Sequence, residues 1–408
     1  MALNDFGDMI EEAFSLGFGA VLEKILVANK IRGTEADSAL KAGGDTYNRP
    51  YIPQGNTQTY TDGTGITKQV FTATNETLSL DQKIVYNFIL DYTDFRQQKR
   101  KGALLAKMAT MAMHEIATAV DGDFFYRYQD ADYKYGSGGI TTSSTVAGFT
   151  LSASNALSFM GTVKAHLLNH TGGLKSRFLA IDPFHMAIIE DAAIANTFNT
   201  ADYAFANGYI GPFKGYKIYV SNNLTSEVSL TFTGVGVAAE TVTFNNTALT
   251  WAASVGTEGN IHVCDSAANE AINIAAVLTT PDTDITEVAG AGYTAYTTQE
   301  DLHNLSGFVA TVSSSGVVLI KSKRGRITLG TAAMTNASFG TQVVHAIAGE
   351  EGAINLAYQE KGKLFTNDAP NDSSGNTLLA TEKNYLSMFG IKTFDDGDAR
   401  IVDIQVNV

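Results

Sequence analysis

The chain changes its pattern of hydrophobic and polar positions several times. Ile10, Phe14, Val21, Leu22, Ile25 and Leu26 recur at roughly helical spacing, which predicts one or two short amphipathic helices broken at Gly17 and Gly19. Such helices dock on their own domain or form an arm that packs on a neighbouring chain. From Gly33 to Lys68 the periodicity disappears into GGDTYNRPYIPQGNTQTYTDGTG and its flanks, the mark of a long loop or an extended arm. KQVFTATNETLSLDQKIVYNFILDYTDF then alternates with period two. Leu78 and Leu80 would share one face of a strand, and Val85, Asn87 and Ile89 one face of the next, so two or three strands in a long hairpin are expected.

RQQKRKGALLAKMATMAMHEIATAVDGDFFYRY carries an apolar stripe through Leu104, Leu105, Met108, Ala112, Ile116, Ala119 and Val120. It predicts the longest helix of the chain, about 30 residues or 45 Å. After a Gly/Ser/Thr loop, LSASNALSFMGTVKAHLLNHTGG reads as a helix closed by Gly172-Gly173 and RFLAI as a buried strand. Asp182 and Pro183 suit the N-cap and first position of a helix through Glu190. GYIGPFKGYKIYVSNNL leads a glycine- and aromatic-rich loop into the strand Tyr216–Val220.

From about Ser226 to Thr341 Thr, Ser, Val, Ala and Gly dominate. TVTFNNTALTW reads as a hairpin turning at Asn245-Asn246, Ser266 to Leu278 as a helix, and FVATV, VVLIK and RITLG as strands. This is a β-rich inserted domain of about 115 residues, an ordinary domain size. The pattern of the α/β section returns at QVVHAIAGEEGAINLAYQEKGKLF. The sequence closes on NYLSMFGIKTFDDGDARIVDIQVNV, read as two strands around the Asp395–Asp398 turn.

Composition adds three bounds. The 408 residues predict two or three domains. Hydrophobic residues make up 44% and charged residues only 17%, low for a free-standing monomer, so other chains should cover much of the surface. A formal charge of −14 argues against sequence-specific binding of nucleic acid. The single cysteine, Cys264, excludes an intramolecular disulfide. The acidic first residues do not form a signal peptide and no apolar run suffices for a membrane helix, so a soluble protein made in a reducing cytoplasm is expected. The Asn-x-Ser/Thr sequons at Asn75, Asn169, Asn223, Asn245, Asn304, Asn336 and Asn371 then read as chance.

No constellation for catalysis, cofactor or metal emerges. His114-Glu115 opens a zinc-protease pattern, but Thr118 stands where the second His belongs. His166 and His170 have ligand spacing on one helix without a third ligand. Asp130-Ala131-Asp132 opens like a calcium loop, but Lys134 takes a ligand position. Cys264 lacks a flanking cation and reads as core. Arg96, Lys99, Arg100 and Lys101 oppose the dipole of the long helix, which predicts carboxylate partners on a neighbouring chain. Lys321, Lys323, Arg324 and Arg326 read as a solvated face.

Four stretches stand in a telling order: ETLSLDQKIVYNFILDYTDF before the long helix, RFLAIDPFHMAIIED, GYIGPFKGYKIYVSNNL, and FGIKTFDDGDARIVDIQV. Together they resemble the major capsid proteins of tailed bacteriophages, which share the Hong Kong 97-type fold. The resemblance spans nearly everything outside 226–341. It implies an α+β fold with an N-terminal arm (1–50), an extended β-hairpin loop (51–92), and a peripheral domain with a spine helix (93–149). It further implies an axial domain in two parts (150–225 and 342–362), a C-terminal return to the peripheral domain (363–408), and 226–341 as an insertion. The segment from Val242 to Leu278 is also similar to a small module of various phage structural proteins.

That resemblance implies a non-enzymatic protein of the virion. It would assemble with itself, as hexamers and pentamers, into an icosahedral shell around double-stranded DNA. Further partners implied are a portal, a decoration protein and, because the first residues lack a long charged coiled-coil segment, a separate scaffolding protein. Neither a membrane nor a sequence-specific nucleic-acid site is implied. A nanocompartment shell on the same fold, or a tail or decoration protein built around the β-rich module, are the alternatives. A shell subunit needs a rigid core with bendable arms, because identical copies occupy five-fold and six-fold surroundings.

Overall fold

A computed structural model describes residues 26–41, 44–51, 55, 57–62, 65–72, 74–91, 101–143, 146–171, 176–195, 213–288, 291–330, 334–368, 380–394 and 398–408. The helices expected over 1–25 and the side chains of Arg96, Lys99, Arg100 and Lys101 lie outside this set. The fold is α+β, and the chain divides into two compact units.

The first unit is built from Arg32–Ile116 and Ile354–Phe394. Its main element is a three-stranded antiparallel sheet with Ala380–Thr393 in the middle, between Ile354–Asp368 and Gln82–Asp91. The register slips twice between Tyr358 and Lys363, where Gly362 takes a φ of 95° and bulges the strand. Thr46–Tyr51 pairs with Thr74–Ser79 in a separate two-stranded sheet. The strands expected to form one hairpin over 68–95 thus part company. Their alternation was sufficient to make strands but carried no information on partners, which lie far away in sequence.

Ala36, Leu40, Leu78, Ala357 and Phe394 form a small core here. Arg32 grips both carboxylate oxygens of Asp37 at 2.7 and 3.0 Å, and this fork orders the start of the stretch read as a loop. Gly390 must be glycine, because a Cβ there would stand 2.2 Å from the Ser79 carbonyl.

The long helix runs Lys101–Phe125 and continues as a 3₁₀ turn, Tyr126–Asp130. Ala109, Ala112, Ile116 and Val120 supply its buried stripe. Of the expected stripe, Leu104 and Leu105 lie among side chains outside the described set, and Met108 and Ala119 are half-buried.

The second unit comprises Ala117–Ala353 with the residues around 26–31 and 398–408. A ten-stranded mixed sheet organises it, centred on the buried strand Val343–Glu350. One edge of that strand pairs with Ile401–Asn407; the other pairs with Arg177–Ile181 along its second half and with Ser226–Phe232 at its start. Arg177–Ile181 runs parallel to Tyr216–Val220, the crossover being made through the helix Pro183–Ala195. Phe159, Leu167, Leu179, Ile189, Ile218 and Val402 are among the residues that close the core beneath this helix and the helix Ala156–Thr171.

The two closing strands are therefore not a pair. Ala380–Thr393 belongs to the first unit's sheet, while Ile401–Asn407 joins Val343–Glu350 in the second. The β-rich segment is likewise not a separate sheet. Ser226–Phe232, Phe308–Ser314, Val317–Ser322 and Ala337–Phe339 extend the large sheet. A five-stranded sheet and the helix Ala267–Thr279 complete a second core around Phe232, Phe244, Trp251 and Ile274. Asn245 and Asn246 take φ of 48° and 72°, the left-handed pair that a tight hairpin turn requires.

Candidate functional site

Sequence placed Lys321, Lys323, Arg324 and Arg326 on a solvated face. The structure corrects this. The turn after Val317–Ser322 enters the second unit as a tongue, and its cations are engaged. Lys323 Nζ lies 2.7 Å from Asp123 Oδ1 and 4.7 Å from the centre of the Tyr126 ring. Lys321 pairs with Glu227 at 3.4 Å. Arg326 Nε donates to Asp182 Oδ2 at 2.7 Å while its guanidinium stacks 4.4 Å over Phe184. Arg324 Nη1 lies 3.3 Å from His303. Strand alternation placed these cations outward, but folding covers Lys321, Lys323 and Arg326 with residues about 100 to 200 positions away.

Two glycines let the tongue in. A Cβ on Gly122 would meet the Lys323 carbonyl at 2.3 Å, and one on Gly325 would meet the Asn222 carbonyl at 2.0 Å. Gly325 also has a φ of 92°. Its carbonyl accepts from the buried Ser226 hydroxyl at 2.6 Å.

Asp182 does cap its helix, accepting from His185 N at 3.2 Å, and it pairs with the His185 ring as well. Burial opposes its charge, but the bonds and charges of His185 and Arg326 outweigh burial and hold the carboxyl below its usual range. The other ring nitrogen of His185 lies 3.2 Å from the Asn407 carbonyl.

Three buried groups escaped the sequence reading. Asp121 receives Val27 N and Ala28 N at 3.2 and 3.0 Å, and burial, outweighing these bonds, pushes its pKa up to about 6. Glu270 accepts from Trp251 Nε1 at 2.8 Å, Gly236 N at 2.9 Å and Cys264 N at 3.0 Å. His345 sits between Asp403 and Glu227. The available signal was an acid inside an apolar helical stripe, as at Asp121 in AVDGDFF and Glu270 in ANEAINIA; it marks a buried carboxylate without naming its donors.

Cys264 is buried, and burial with the nearby Glu270 carboxylate pushes its thiol up to about 12, which disfavours the thiolate. His166 and His170 lie 4.4 Å apart, ring to ring, and both rest against Tyr133. Burial, then His170, lowers the His166 pKa. His114 is exposed, and Asp130 pairs with Arg127 at 3.9 Å. Among the described residues no group of three His, Cys, Asp or Glu is placed to hold a metal, and no helix is long and apolar enough to cross a membrane.

A different feature marks the first unit. Tyr60, Ile66, Val70 and Phe71 lie on irregular backbone between Tyr51 and Thr74 and are at least half exposed, Val70 by 90%. Val85 and Ile89 are exposed on one face of the neighbouring edge strand. With Asn87, they share the face expected from sequence.

By sequence the chain matches no protein-family model and no curated protein. In three dimensions it is similar to solved phage structures. One, from Mycobacterium phage Che8, covers 92% of this chain and 89% of its own at 12% identity and a TM-score of 0.48. The capsid of cyanophage P-SCSP1u covers 88% and 83% at 11% identity and a TM-score of 0.43. The capsid of Ralstonia phage GP4 covers 90% and 84% at 10% identity and a TM-score of 0.42.

Proposed function

We propose that this chain is a structural protein, the major capsid protein of a tailed bacteriophage, which assembles with itself into the icosahedral head shell around double-stranded DNA. Hexamers and pentamers are the assembly units, formed in the bacterial cytoplasm with a separate scaffolding protein and a portal as partners.

The observation that carries this reading is the exposed arm. Tyr60, Ile66, Val70 and Phe71 project from backbone that neither helix nor sheet supports. An isolated subunit gains nothing from showing such a row to water, whereas a neighbouring copy that covers it recovers roughly 25 cal/mol per Å² of apolar surface. The four ordered sequence stretches and the low charge fraction support the same conclusion. On this reading the three-stranded sheet and the first part of the long helix form the peripheral domain, the α/β layer forms the axial domain, and 226–341 is the insertion.

The test is electron microscopy of the purified protein, alone and co-expressed with a candidate scaffold. Closed angular shells of uniform size are expected. A chain lacking Tyr51–Lys68 should stay folded yet fail to close shells. Normal shells from that deletion, or a wild-type monomer that never assembles, overturn the proposal.

A further inference from the structure

The turn that opens the strand Tyr216–Val220 carries two positive φ angles, 50° at Lys214 and 86° at Gly215. Phe213 and Tyr216 exchange both backbone hydrogen bonds across it, at 2.9 and 3.0 Å, which turns the N–H groups of the two middle residues outward. Gly215 N–H makes no hydrogen bond among the described residues. Two cationic side chains converge on this glycine. A Cβ on Gly215 would stand 2.9 Å from Lys164 Nζ and 3.8 Å from Arg177 Nη2. Lys164 comes from the helix Ala156–Thr171, and Arg177 opens the neighbouring parallel strand Arg177–Ile181.

Neither cation has an acceptor. Lys164 and Arg177 form no hydrogen bond and no ion pair among the described residues, and the Nε and Nη1 atoms of Arg177 are buried. Lys214 adds a third cation, its Nζ donating to the Leu157 carbonyl at 2.6 Å. The helix Ala156–Thr171, the turn and the two parallel strands contain no acidic residue. On the next strand, Glu351 is taken by Lys217 at 2.9 Å. Glu350 stands opposite Arg177 in the strand register but forms no ion pair with it, because the guanidinium turns the other way, towards Gly215. Three cations against the carboxylate of Glu350 leave two positive charges, in a chain whose formal charge is −14. Cations held together repel, and a partly buried guanidinium without an acceptor adds to the cost.

We propose that Lys164 Nζ, Arg177 Nη2 and the Gly215 N–H bind a phosphate group, inorganic or a monoester. Such a group carries about −1.5 to −2 charge near neutral pH and so matches the surplus, whereas a carboxylate or a backbone phosphodiester, with one charge each, offsets only half of it. Glycine at 215 leaves the outward N–H uncovered, as an anion held by backbone requires. Open space adjoins the cations: a Cβ on Gly161, one turn before Lys164 in the same helix, meets nothing within 4 Å. The bound anion ties the helix Ala156–Thr171 to the turn and to the start of the strand Arg177–Ile181. All of these residues belong to the second unit, and the inference stands or falls independently of the shell reading.

The probe is inorganic phosphate, titrated into the full-length protein at neutral pH against sodium chloride of equal ionic strength. Phosphorus NMR line width reads binding directly, and the melting temperature reads its consequence. A broadened resonance and a saturating rise in melting temperature are expected, since a ligand of the folded chain alone stabilises it. Lys164→Gln alters a side chain with no partner among the described residues, leaves the circular dichroism unchanged, and weakens phosphate binding by about tenfold, while Lys164→Arg keeps it. Arg177→Gln abolishes it. No broadening at tens of millimolar phosphate overturns the proposal, as does binding untouched by Lys164→Gln. Acetate acting as well as phosphate at equal concentration would identify a carboxylate site, and a short oligodeoxynucleotide displacing phosphate at concentrations below the phosphate Kd would identify a nucleic-acid contact; either result overturns the proposal as well.

Discussion

His345 Nδ1 lies 2.9 Å from Asp403 Oδ1, and both side chains are buried. The pair belongs to a row of alternating charge. His345 Nε2 faces Glu227 at 3.7 Å, Glu227 faces Lys321 at 3.4 Å, and Gln405 donates to the far oxygen of Asp403 at 3.0 Å. Tyr128 stacks on the imidazole with 3.8 Å between ring centres. The four charged side chains come from four adjacent strands of the large sheet, Val317–Ser322, Ser226–Phe232, Val343–Glu350 and Ile401–Asn407. The row therefore joins the inserted strands to the last strand of the chain across the sheet's centre.

This row sets an alkaline limit on stability. Burial disfavours charge on His345, but Asp403 and Glu227 outweigh burial and raise its pKa to about 9. A raised histidine stabilises fully below its unfolded value near 6.5, and loses that stabilisation as pH climbs through 9. Unfolding free energy should fall by about 3 kcal/mol between pH 6.5 and 9.5 from this group. His345→Gln should flatten that slope and lower stability at pH 7 by about 3–5 kcal/mol, because Asp403 is left buried without its cation. Urea titrations at four pH values read both effects; an unchanged slope in the variant would dismiss the assignment.

Asp121 acts in the same direction at lower pH. Its carboxyl is raised to about 6, mainly by burial, so the folded chain binds a proton that the unfolded chain releases near 4. The stabilisation is present below 4 and lost as pH rises through 6, roughly 3 kcal/mol in all. Asp121→Asn should remove this component while keeping an acceptor for Val27 N or Ala28 N. The check is the stability difference between variant and wild type at pH 4.5 and 7.5, which should shift towards the variant at the higher pH.

Glu270 is a fully buried carboxylate held by three N–H donors. Glu270→Gln turns an amide donor towards at least one of them, since only one oxygen remains to accept. One buried donor facing another should cost about 2–4 kcal/mol. Trp251 is the chain's single tryptophan and one of the three donors, so its fluorescence reports directly on the loss. A melting temperature and emission spectrum equal to wild type would show that the three donors do not depend on a carboxylate.

Much of the local structure was legible. Ser266 caps the helix Ala267–Thr279 by accepting from Asn269 N, Asp182-Pro183 opens the helix Pro183–Ala195, and Asn245-Asn246 turns its hairpin. In each case the determining contact spans only a few residues. What was not legible is long-range. Gln82–Asp91 alternates as an edge strand must, yet its partner is Ala380–Thr393. Lys323 looks solvated until Asp123, 200 positions before it, is brought beside it. Periodicity assigns a residue to a face; only the tertiary fold decides what covers that face.

Gly122 gives the sharpest test of the tongue. It lies in the last turns of the long helix, where alanine would normally stabilise by about 1 kcal/mol. Here the added methyl would stand 2.3 Å from the Lys323 carbonyl, on backbone that cannot swing away. The tongue must then retreat, taking Lys323 from Asp123 and Tyr126 and straining Arg326 on Asp182. Gly122→Ala should therefore destabilise by about 2–3 kcal/mol despite its better helix propensity. Limited proteolysis should show new cleavage after Lys323 or Arg324 in the variant, at sites the wild type protects. Gly161→Ala, in a different helix with open space at its Cβ, serves as the control and should be neutral or stabilising. If both alanines stabilise equally, close packing of the tongue on the helix is not what Gly122 provides.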